Sequence, residues 1–233
     1  MTTKNEKKIK IIPLGGLGQI GNHLTIFEYE DDIIVVDAGM MFPNDKMPGI
    51  DFLIPDMSYL KKNSSKVRGI IITHGHEDHI GAVPFLLKEI TAPIYGTKLT
   101  LGFIKKRLEE RTPAKKPSFI EIAPGDCVNV GNYLIEFIKV NHSIADCVGL
   151  AIETDLGAII HTGDFKIDYS PIDNHTMDLH RFAKYGEKGV LLLLSDSTNA
   201  EVKGHTRSES ILAKSFNNIF SSSKGRLFVA TFA

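Results

Sequence analysis

Four side chains of types that commonly bind metal ions fall within six consecutive residues: His74, His76, Asp78 and His79. They follow directly after a predicted buried strand at residues 67–73. In extended backbone, residues i and i+2 point the same way, so His74 and His76 can bind one ion. Asp78 and His79 come where the chain turns into a helix, and they can reach a second ion beside the first. This spacing predicts a two-metal site of the kind that clamps the attacking and leaving oxygens of a displacement.

Two further ligands are predicted at the ends of later strands. His142 follows the predicted strand 134–140, and Asp164 follows the predicted strand 158–161. Either residue alone would more often be structural, but strand-end loops at one edge of a sheet converge in space. We therefore expect His142 to complete the shell of one ion and Asp164 to bridge both ions. Imidazole with carboxylate suits zinc or manganese, and no thiolate is needed.

Other titratable residues have weaker patterns. Asp37 ends a neighbouring strand, where its carboxylate can accept a hydrogen bond from a metal-bound histidine; a plain turn residue is the alternative. His161 precedes the Asp164 loop and is interpreted as a core or supporting residue. The remaining histidines have no partner pattern and are interpreted as structural: His23, His175, His180 and His205.

Composition excludes several classes of protein. The 233 residues are 42% hydrophobic and 24% charged, with a formal net charge of −1. These values exclude a disordered or fibrous chain and show no basic excess. Two cysteines without a CxxC pair, Cys127 and Cys147, indicate neither a disulfide framework nor a thiolate zinc site, and they fit a reducing cytoplasm. The polar N-terminus lacks a secretory h-region, and no apolar run approaches the ~20 residues that a membrane span needs.

The elements that must position these ligands alternate between strands and helices, which predicts layered α/β packing. Helices are predicted at 80–90, at 97–110, and at 206–220, where Thr206 and Glu209 have capping-box spacing. Residues 225–233 read as an apolar strand, from which we expect either a fragment of a longer protein or an abnormal natural end. Further strands are predicted at 9–14, 23–29, 33–36, 120–122, 149–153 and 190–194.

Residues 16–21 satisfy the GxGxxG pattern of dinucleotide-binding folds. That fingerprint needs a helix to open at the third glycine. Here the next residues continue as a predicted strand. A glycine turn between two strands is therefore the better interpretation, and nicotinamide or flavin binding is not predicted.

HxHxDH followed by a later His and a later Asp resembles the signature of metallo-β-lactamase-fold hydrolases. Within that superfamily the chain resembles the ribonuclease J family. The resemblance implies an αββα sandwich over residues 1–195, with residues 196–233 as the start of an inserted, RNA-clamping β-CASP domain. The matching segments are 14–21, 37–43, 49–56, 74–81, 93–96, 142–144, 161–166, 194–201 and 225–233.

The resemblance also implies a chemistry. Two zinc ions, or manganese or magnesium, would be held by His74, His76, His142 and Asp164 on one side and by Asp78, His79 and Asp164 on the other. A bridging hydroxide would attack the RNA phosphorus. The family degrades RNA from a 5′-monophosphate end and also cuts internally, in RNA maturation and decay. It forms homo-oligomers, or hetero-oligomers with a paralogue.

Three further residues acquire roles only through this resemblance. Asp196 matches the first β-CASP motif and is expected to orient a ligand or to shuttle a proton to the leaving oxygen. A structural calcium is implied near Gly49 and Asp51.

The chain also departs from the family. Family members continue for several hundred residues, and that part carries a later histidine that completes the second ion's shell. Weak or absent activity is therefore expected of this chain by itself. Residues 22–24 read Asn-His-Leu, where the family usually has a run like Lys-Asn-Met.

Two other functions remain open from the sequence. One is a hydrolase of the same fold acting on a small ester or thioester, which needs no nucleic-acid clamp. The other is a non-catalytic subunit that binds RNA or a partner nuclease.

Overall fold

The first β-sheet contains the strand that precedes His74, His76, Asp78 and His79. The computed structural model describes residues 7–111 and 117–230. The six strands of this sheet lie side by side in chain order: β1 Ile9–Gly15, β2 Leu24–Tyr29, β3 Asp32–Val36, β4 Val67–Ile71, β5 Ile94–Gly96 and β6 Phe119–Glu121. Strands β1 to β3 are antiparallel, and β3 to β6 are parallel. Because β3 and β4 run in the same direction, Asp37 and Thr73 follow neighbouring strands at the same edge.

The second sheet brings three more loops to one edge. Its strands are β7 Cys127–Val130, β8 Tyr133–Lys139, β9 Val148–Thr154, β10 Gly157–His161 and β11 Val190–Leu194, in the spatial order β11-β10-β9-β8-β7. Strand β9 is antiparallel to both β8 and β10, and β11 is parallel to β10. Strands β8, β10 and β11 therefore point the same way. Their following loops carry His142, Asp164 and Asp196.

The described residues form six α-helices, four of which cover the outer faces of the two sheets. They are α1 Ser58–Lys62, α2 Glu77–Ile80, α3 Val83–Glu89, α4 Lys98–Glu110, α5 Leu179–Lys188 and α6 Ser210–Ser222. Helices α1, α3 and α4 pack on the first sheet through residues such as Leu60, Leu86 and Ile104. Helix α5 packs on the second sheet through Phe182 and Tyr185. The predicted αββα sandwich is confirmed.

The inner faces of the two sheets form the central core. Phe27 and Ile71 of the first sheet meet Tyr133 and Phe137 of the second, and all four are buried. Full burial of one large apolar side chain contributes roughly 1.5–3 kcal/mol. The Tyr133 hydroxyl donates to the Phe27 carbonyl across the layers (2.9 Å). Packing and this hydrogen bond together fix how the two sheet edges meet.

Two sequence expectations need correction, and several elements were not predicted. Residues 225–230 form no strand, and Phe228 there is 90% exposed; no strand of the described chain pairs with them, and residues 231–233 lie outside the described residues. Helix α6 begins at Ser210 and has no side-chain cap from Thr206, because Glu209 instead accepts a hydrogen bond from Lys166 (2.8 Å). Strands β5 and β7 and helices α1 and α5 were not predicted. No helix in the described ranges is long and apolar enough to cross a membrane.

The one-turn helix α2, which carries two predicted ligands, is fastened to the chain after β3. The backbone N–H groups of Ala38 and Met40 donate to the carbonyls of His79 (2.8 Å) and Glu77 (3.1 Å). Gly39 lies between them, and a Cβ at Gly39 would stand 1.4 Å from the carbonyl oxygen of Asp78. Any side chain at position 39 must therefore push α2 away.

We predict opposite effects of alanine at two glycines. Gly39→Ala should lower the free energy of unfolding by about 1–3 kcal/mol or more, as overpacked sites do. Gly102→Ala should raise it by up to about 1 kcal/mol, because Gly102 is an exposed residue of α4 with nothing near its Cβ position. Urea unfolding of both variants measures the difference. Equal stabilities would contradict the packing described for Gly39.

Candidate metal centre

Three histidines from both sheets converge where the sheet edges meet. His74 Nε2 lies 3.1 Å from His76 Nδ1, and His142 Nε2 lies 3.2 Å from the same nitrogen. One ligand atom from each of the three falls within 4.8 Å of the others. His74 and His76 come from the loop after β4, and His142 comes from the loop after β8. The convergence expected from strand direction therefore places these three nitrogens around one point.

The carboxylate of Asp164 faces histidines of two different groups. Its Oδ2 lies 3.6 Å from His142 Nε2, and its Oδ1 lies 3.5 Å from His79 Nε2. Oδ2 of Asp78 lies 3.8 Å from the same His79 nitrogen. All six ligands predicted from the sequence thus lie in one continuous cluster. One half of the cluster holds His74, His76 and His142, and the other half holds Asp78 and His79. Asp164 stands between these two halves.

A buried carboxylate orients His79. Asp37 is 2% exposed and follows β3 with a positive φ of 61°, a backbone region that Asp tolerates better than most residues. His79 Nδ1 lies 2.8 Å from its Oδ2. Because a carboxylate only accepts hydrogen bonds, Nδ1 must carry the proton. His79 Nε2 then points its lone pair towards Asp78 and Asp164.

The same carboxylate orients His74 through Thr73. The Thr73 backbone N–H donates to Oδ1 of Asp37 (2.8 Å), and the Thr73 hydroxyl donates to Oδ2 (2.9 Å). Since that hydroxyl proton is used, its oxygen accepts from His74 Nδ1 (3.0 Å). His74 Nε2 is thereby left with its lone pair facing His76. Two ligands therefore receive their tautomers from one buried group, the outer-shell arrangement typical of metal sites.

The cluster fits a cation on structural grounds. His79 Nε2 is buried and has no hydrogen-bond partner in the described residues. Its lone pair faces two carboxylates, which is unfavourable unless a positive charge lies between them. The nearby nitrogens of His74, His76 and His142 also fit a shared cation, because neutral imidazoles offer at most one donor each. Imidazole and carboxylate donors without a thiolate are the ligands that zinc or manganese accepts.

The surroundings favour the neutral forms of His74 and His142 but favour a positive charge at His79. Burial lowers the pKa of His74 well below its usual value, and the neighbouring His79 and His142 lower it further. Burial likewise lowers the pKa of His142. For His79, burial is outweighed by Asp37 and Asp164, which raise its pKa. The carboxylates that favour a proton on His79 Nε2 would equally favour a metal ion there.

An open cavity of about 560 Å³ adjoins the cluster. It is lined by the glycine-rich loop at 15–20, by Asp78, His79 and Asp164, and by the loop at 195–198. His161 also lines it, and its Nδ1 accepts the Gly163 N–H (3.1 Å). The loop at 15–20 leads into strand β2 rather than into a helix. This confirms the predicted glycine turn between two strands. The cavity therefore gives a substrate access to the ligands.

Asp196 lies at the rim of this cavity. Its Oδ1 accepts the Thr198 N–H (2.7 Å), and its Oδ2 accepts the Phe165 N–H (3.4 Å). Its own N–H donates to the Thr162 hydroxyl (3.0 Å). Asp196 thereby ties the loop after β11 to the loop that carries Asp164.

The residues implied in calcium binding do not join the cluster. Gly49 and Asp51 are exposed in the segment between β3 and α1. Asp51 belongs to none of the groups of three His, Cys, Asp or Glu side chains that lie close enough to hold an ion in the described chain. The calcium hypothesis stays a prediction.

One residue of the cluster was missed by the sequence reasoning. His23, interpreted there as structural, lies beside Asp78 and His79 with its potential ligand atom within 4.8 Å of theirs. Its sequence signal is its place two residues after Gly21, the last glycine of the GxGxxG pattern, where the resembling family usually has asparagine.

Comparisons with known proteins show the family to which the chain is similar. Residues 18–179 match the family model described as the metallo-beta-lactamase superfamily. Ribonuclease J of Helicobacter pylori is 50% identical over 234 residues, covering 100% of this chain and 34% of that protein. Ribonuclease J of Synechocystis is 48% identical, covering 97% of this chain and 36% of that protein. The chain thus spans about a third of the length of these curated relatives.

A solved structure supports the fold alone. The crystal structure of a protein of unknown function from Enterococcus faecalis superposes with a TM-score of 0.67 at 17% sequence identity. The superposition covers 93% of the present chain and 58% of the Enterococcus faecalis protein.

We predict that Asp37→Asn weakens zinc binding. The amide leaves one accepting oxygen for three donors, namely the Thr73 N–H, the Thr73 hydroxyl and His79 Nδ1–H, while Asn still tolerates the positive φ. Loss of such an outer-shell partner costs about 10–100-fold in metal affinity. Competition with a chromophoric chelator measures the change, with Asp31→Asn as the matched control, because the Asp31 side chain is 88% exposed. Equal zinc affinities of Asp37→Asn and the wild type would contradict the orienting role.

Proposed function

The chain belongs to the metallo-beta-lactamase superfamily, and from that premise we propose that its His and Asp cluster is the metal centre of a metal-dependent ribonuclease. The observation that carries the proposal is the position of Asp164. Its two carboxylate oxygens face His142 and His79, which belong to different halves of the cluster. A bridging carboxylate between two sets of imidazoles suits two adjacent ions, and such pairs serve hydrolytic displacement at phosphorus.

We propose RNA as the substrate because of the name that the similar proteins carry. Two relatives named Ribonuclease J are 48–50% identical across nearly all of this chain. From the resemblance to the ribonuclease J family, we also propose a preference for a 5′-monophosphate end, exonuclease and endonuclease cleavage in RNA maturation and decay, and assembly into oligomers. A cytoplasmic location is consistent with the two free cysteines. We also propose that residues from 196 onward begin a β-CASP domain.

Each half of the cluster has its own ligands in this proposal. His74, His76, His142 and Asp164 would hold one zinc ion, and Asp78, His79 and Asp164 would hold the other. Ions bound there supply Lewis-acid charge that stabilises the extra negative charge of the transition state. Asp37 keeps the Nε2 lone pairs of His74 and His79 directed inward, directly for His79 and through Thr73 for His74.

Asp196 is better suited to orientation than to proton transfer. Both of its carboxylate oxygens accept backbone N–H groups, from Thr198 and Phe165. These bonds hold the carboxylate against the loop of Asp164. We therefore propose that Asp196 positions Asp164, and through it the scissile phosphodiester.

The test is cleavage of 5′-monophosphorylated RNA by the zinc-loaded protein at the full length its gene encodes, because weak or absent activity is expected of residues 1–233 alone. We expect His76→Ala and Asp78→Ala each to lower the rate by about 10²–10³-fold, as loss of one electrostatic stabiliser does. His180→Ala is the matched control, because the His180 side chain is 75% exposed and lies outside the cluster.

Two outcomes would contradict the proposed function. One is RNA cleavage that survives both cluster substitutions. The other is zinc-dependent turnover of a small thioester that RNA does not inhibit, which would indicate a small-ester hydrolase of the same fold.

A further inference from the structure

His23 lies against the half of the cluster that has the fewest imidazoles. Its Nε2 is 3.7 Å from Oδ2 of Asp78. Its ring stacks on the ring of His79, with centroids 4.3 Å apart and an interplanar angle of 14°. One ligand atom from each of His23, Asp78 and His79 falls within 4.8 Å of the other two. His23 therefore occupies a position from which its nitrogen can share an ion with both residues.

The main chain fixes His23 to the helix that carries those two residues. The His23 N–H donates to the Asp78 carbonyl (3.0 Å), and the His23 carbonyl accepts the Gly39 N–H (2.8 Å). The preceding residue, Asn22, turns the chain with a φ of 63°. The backbone of His23 is thus fastened on both sides to the segments that hold α2. Its distance from Asp78 follows from these backbone bonds.

The glycine loop leaves the space that the ring occupies. A Cβ at Gly16 would lie 2.4 Å from Nδ1 of His23. Gly16 also has a φ of 84°, a conformation that L side chains rarely adopt. With Nδ1 packed against Gly16, Nε2 is the ring nitrogen that faces Asp78. Gly16 of the GxGxxG loop therefore leaves room for the His23 imidazole.

The donor count shows what His23 adds. Without it, the described residues offer the second ion one imidazole, from His79, and two carboxylates, from Asp78 and Asp164. With it, the set becomes two imidazoles and two carboxylates, donor types that zinc accepts in a shell that can expand to five ligands to admit water.

We propose that His23 is a protein ligand of the second metal ion, beside Asp78, His79 and Asp164. The proposal rests on the proposed metal centre. It gives the second ion four protein donors from the described residues of this chain. The alternative is that His23 only packs on His79 and never contacts the ion.

Nuclear magnetic resonance distinguishes the two without any substitution. The chain is labelled with ¹⁵N-histidine and loaded with two equivalents of ¹¹³Cd²⁺, whose nuclear spin splits the signal of any nitrogen bound to it. We expect splitting of His23 Nε2 together with His79 Nε2. Splitting of His79 without His23 would overturn the proposal. Splitting of no histidine would overturn the proposed metal centre itself, so the two failures are distinguishable.

A variant gives the matching affinity. Loss of an outer-shell partner already costs about 10–100-fold in metal affinity, so His23→Asn should weaken the second zinc ion by more than about 100-fold. The first ion should be retained, because its ligands lie elsewhere in the cluster. Equilibrium dialysis with elemental mass spectrometry counts both ions, and far-ultraviolet circular dichroism confirms folding. His180→Asn, whose side chain is 75% exposed, should bind both ions normally. Unchanged affinity for the second ion in folded His23→Asn would also overturn the proposal.

Discussion

The site depends on one buried carboxylate. Asp37 is almost fully enclosed, and an enclosed carboxylate must be satisfied by hydrogen bonds or charge. Its three donors are the Thr73 N–H, the Thr73 hydroxyl and His79 Nδ1. Satisfying Asp37 therefore determines the tautomer of His79 directly and that of His74 through Thr73. Both imidazoles then direct their free lone pairs into the ligand cluster, His74 Nε2 towards His76 and His79 Nε2 towards Asp78 and Asp164. A structural requirement of the interior thus prepares two ligands before any ion arrives.

Strand direction explains why the remaining ligands meet these two. Strands β3 and β4 of the first sheet are parallel, so Asp37 and Thr73 are neighbours. Strands β8, β10 and β11 of the second sheet point the same way, so His142, Asp164 and Asp196 emerge together. The Val148 N–H donates to the Thr73 carbonyl (3.0 Å) and ties the two edges. The absence of a side chain at Gly39 allows α2 to dock closely enough for its ligands to face those of the second sheet.

The sequence predicted the parts of this arrangement that are local. The spacing of His74, His76, Asp78 and His79 is a local pattern, and the loops of His142 and Asp164 follow recognisable strands. His23 could not be found in this way, because its contact with Asp78 depends on backbone bonds across 55 positions of the chain. The strand predicted at residues 225–230 was wrong because the local pattern alone does not make a strand. Their apolar pattern suits a strand, but a strand forms only where a neighbour accepts its hydrogen bonds, and the described chain provides none there.

In the proposed metal centre, two ions would share Asp164 among imidazole and carboxylate ligands. X-ray absorption at the zinc edge of the fully loaded chain is the direct test of this arrangement. We expect a first shell of nitrogen and oxygen only, and a second zinc at about 3.5–4 Å, the spacing of two-metal hydrolytic sites. A first shell that contains sulfur would contradict it, since neither free cysteine belongs to the cluster. Full loading with no neighbouring zinc would contradict it as well.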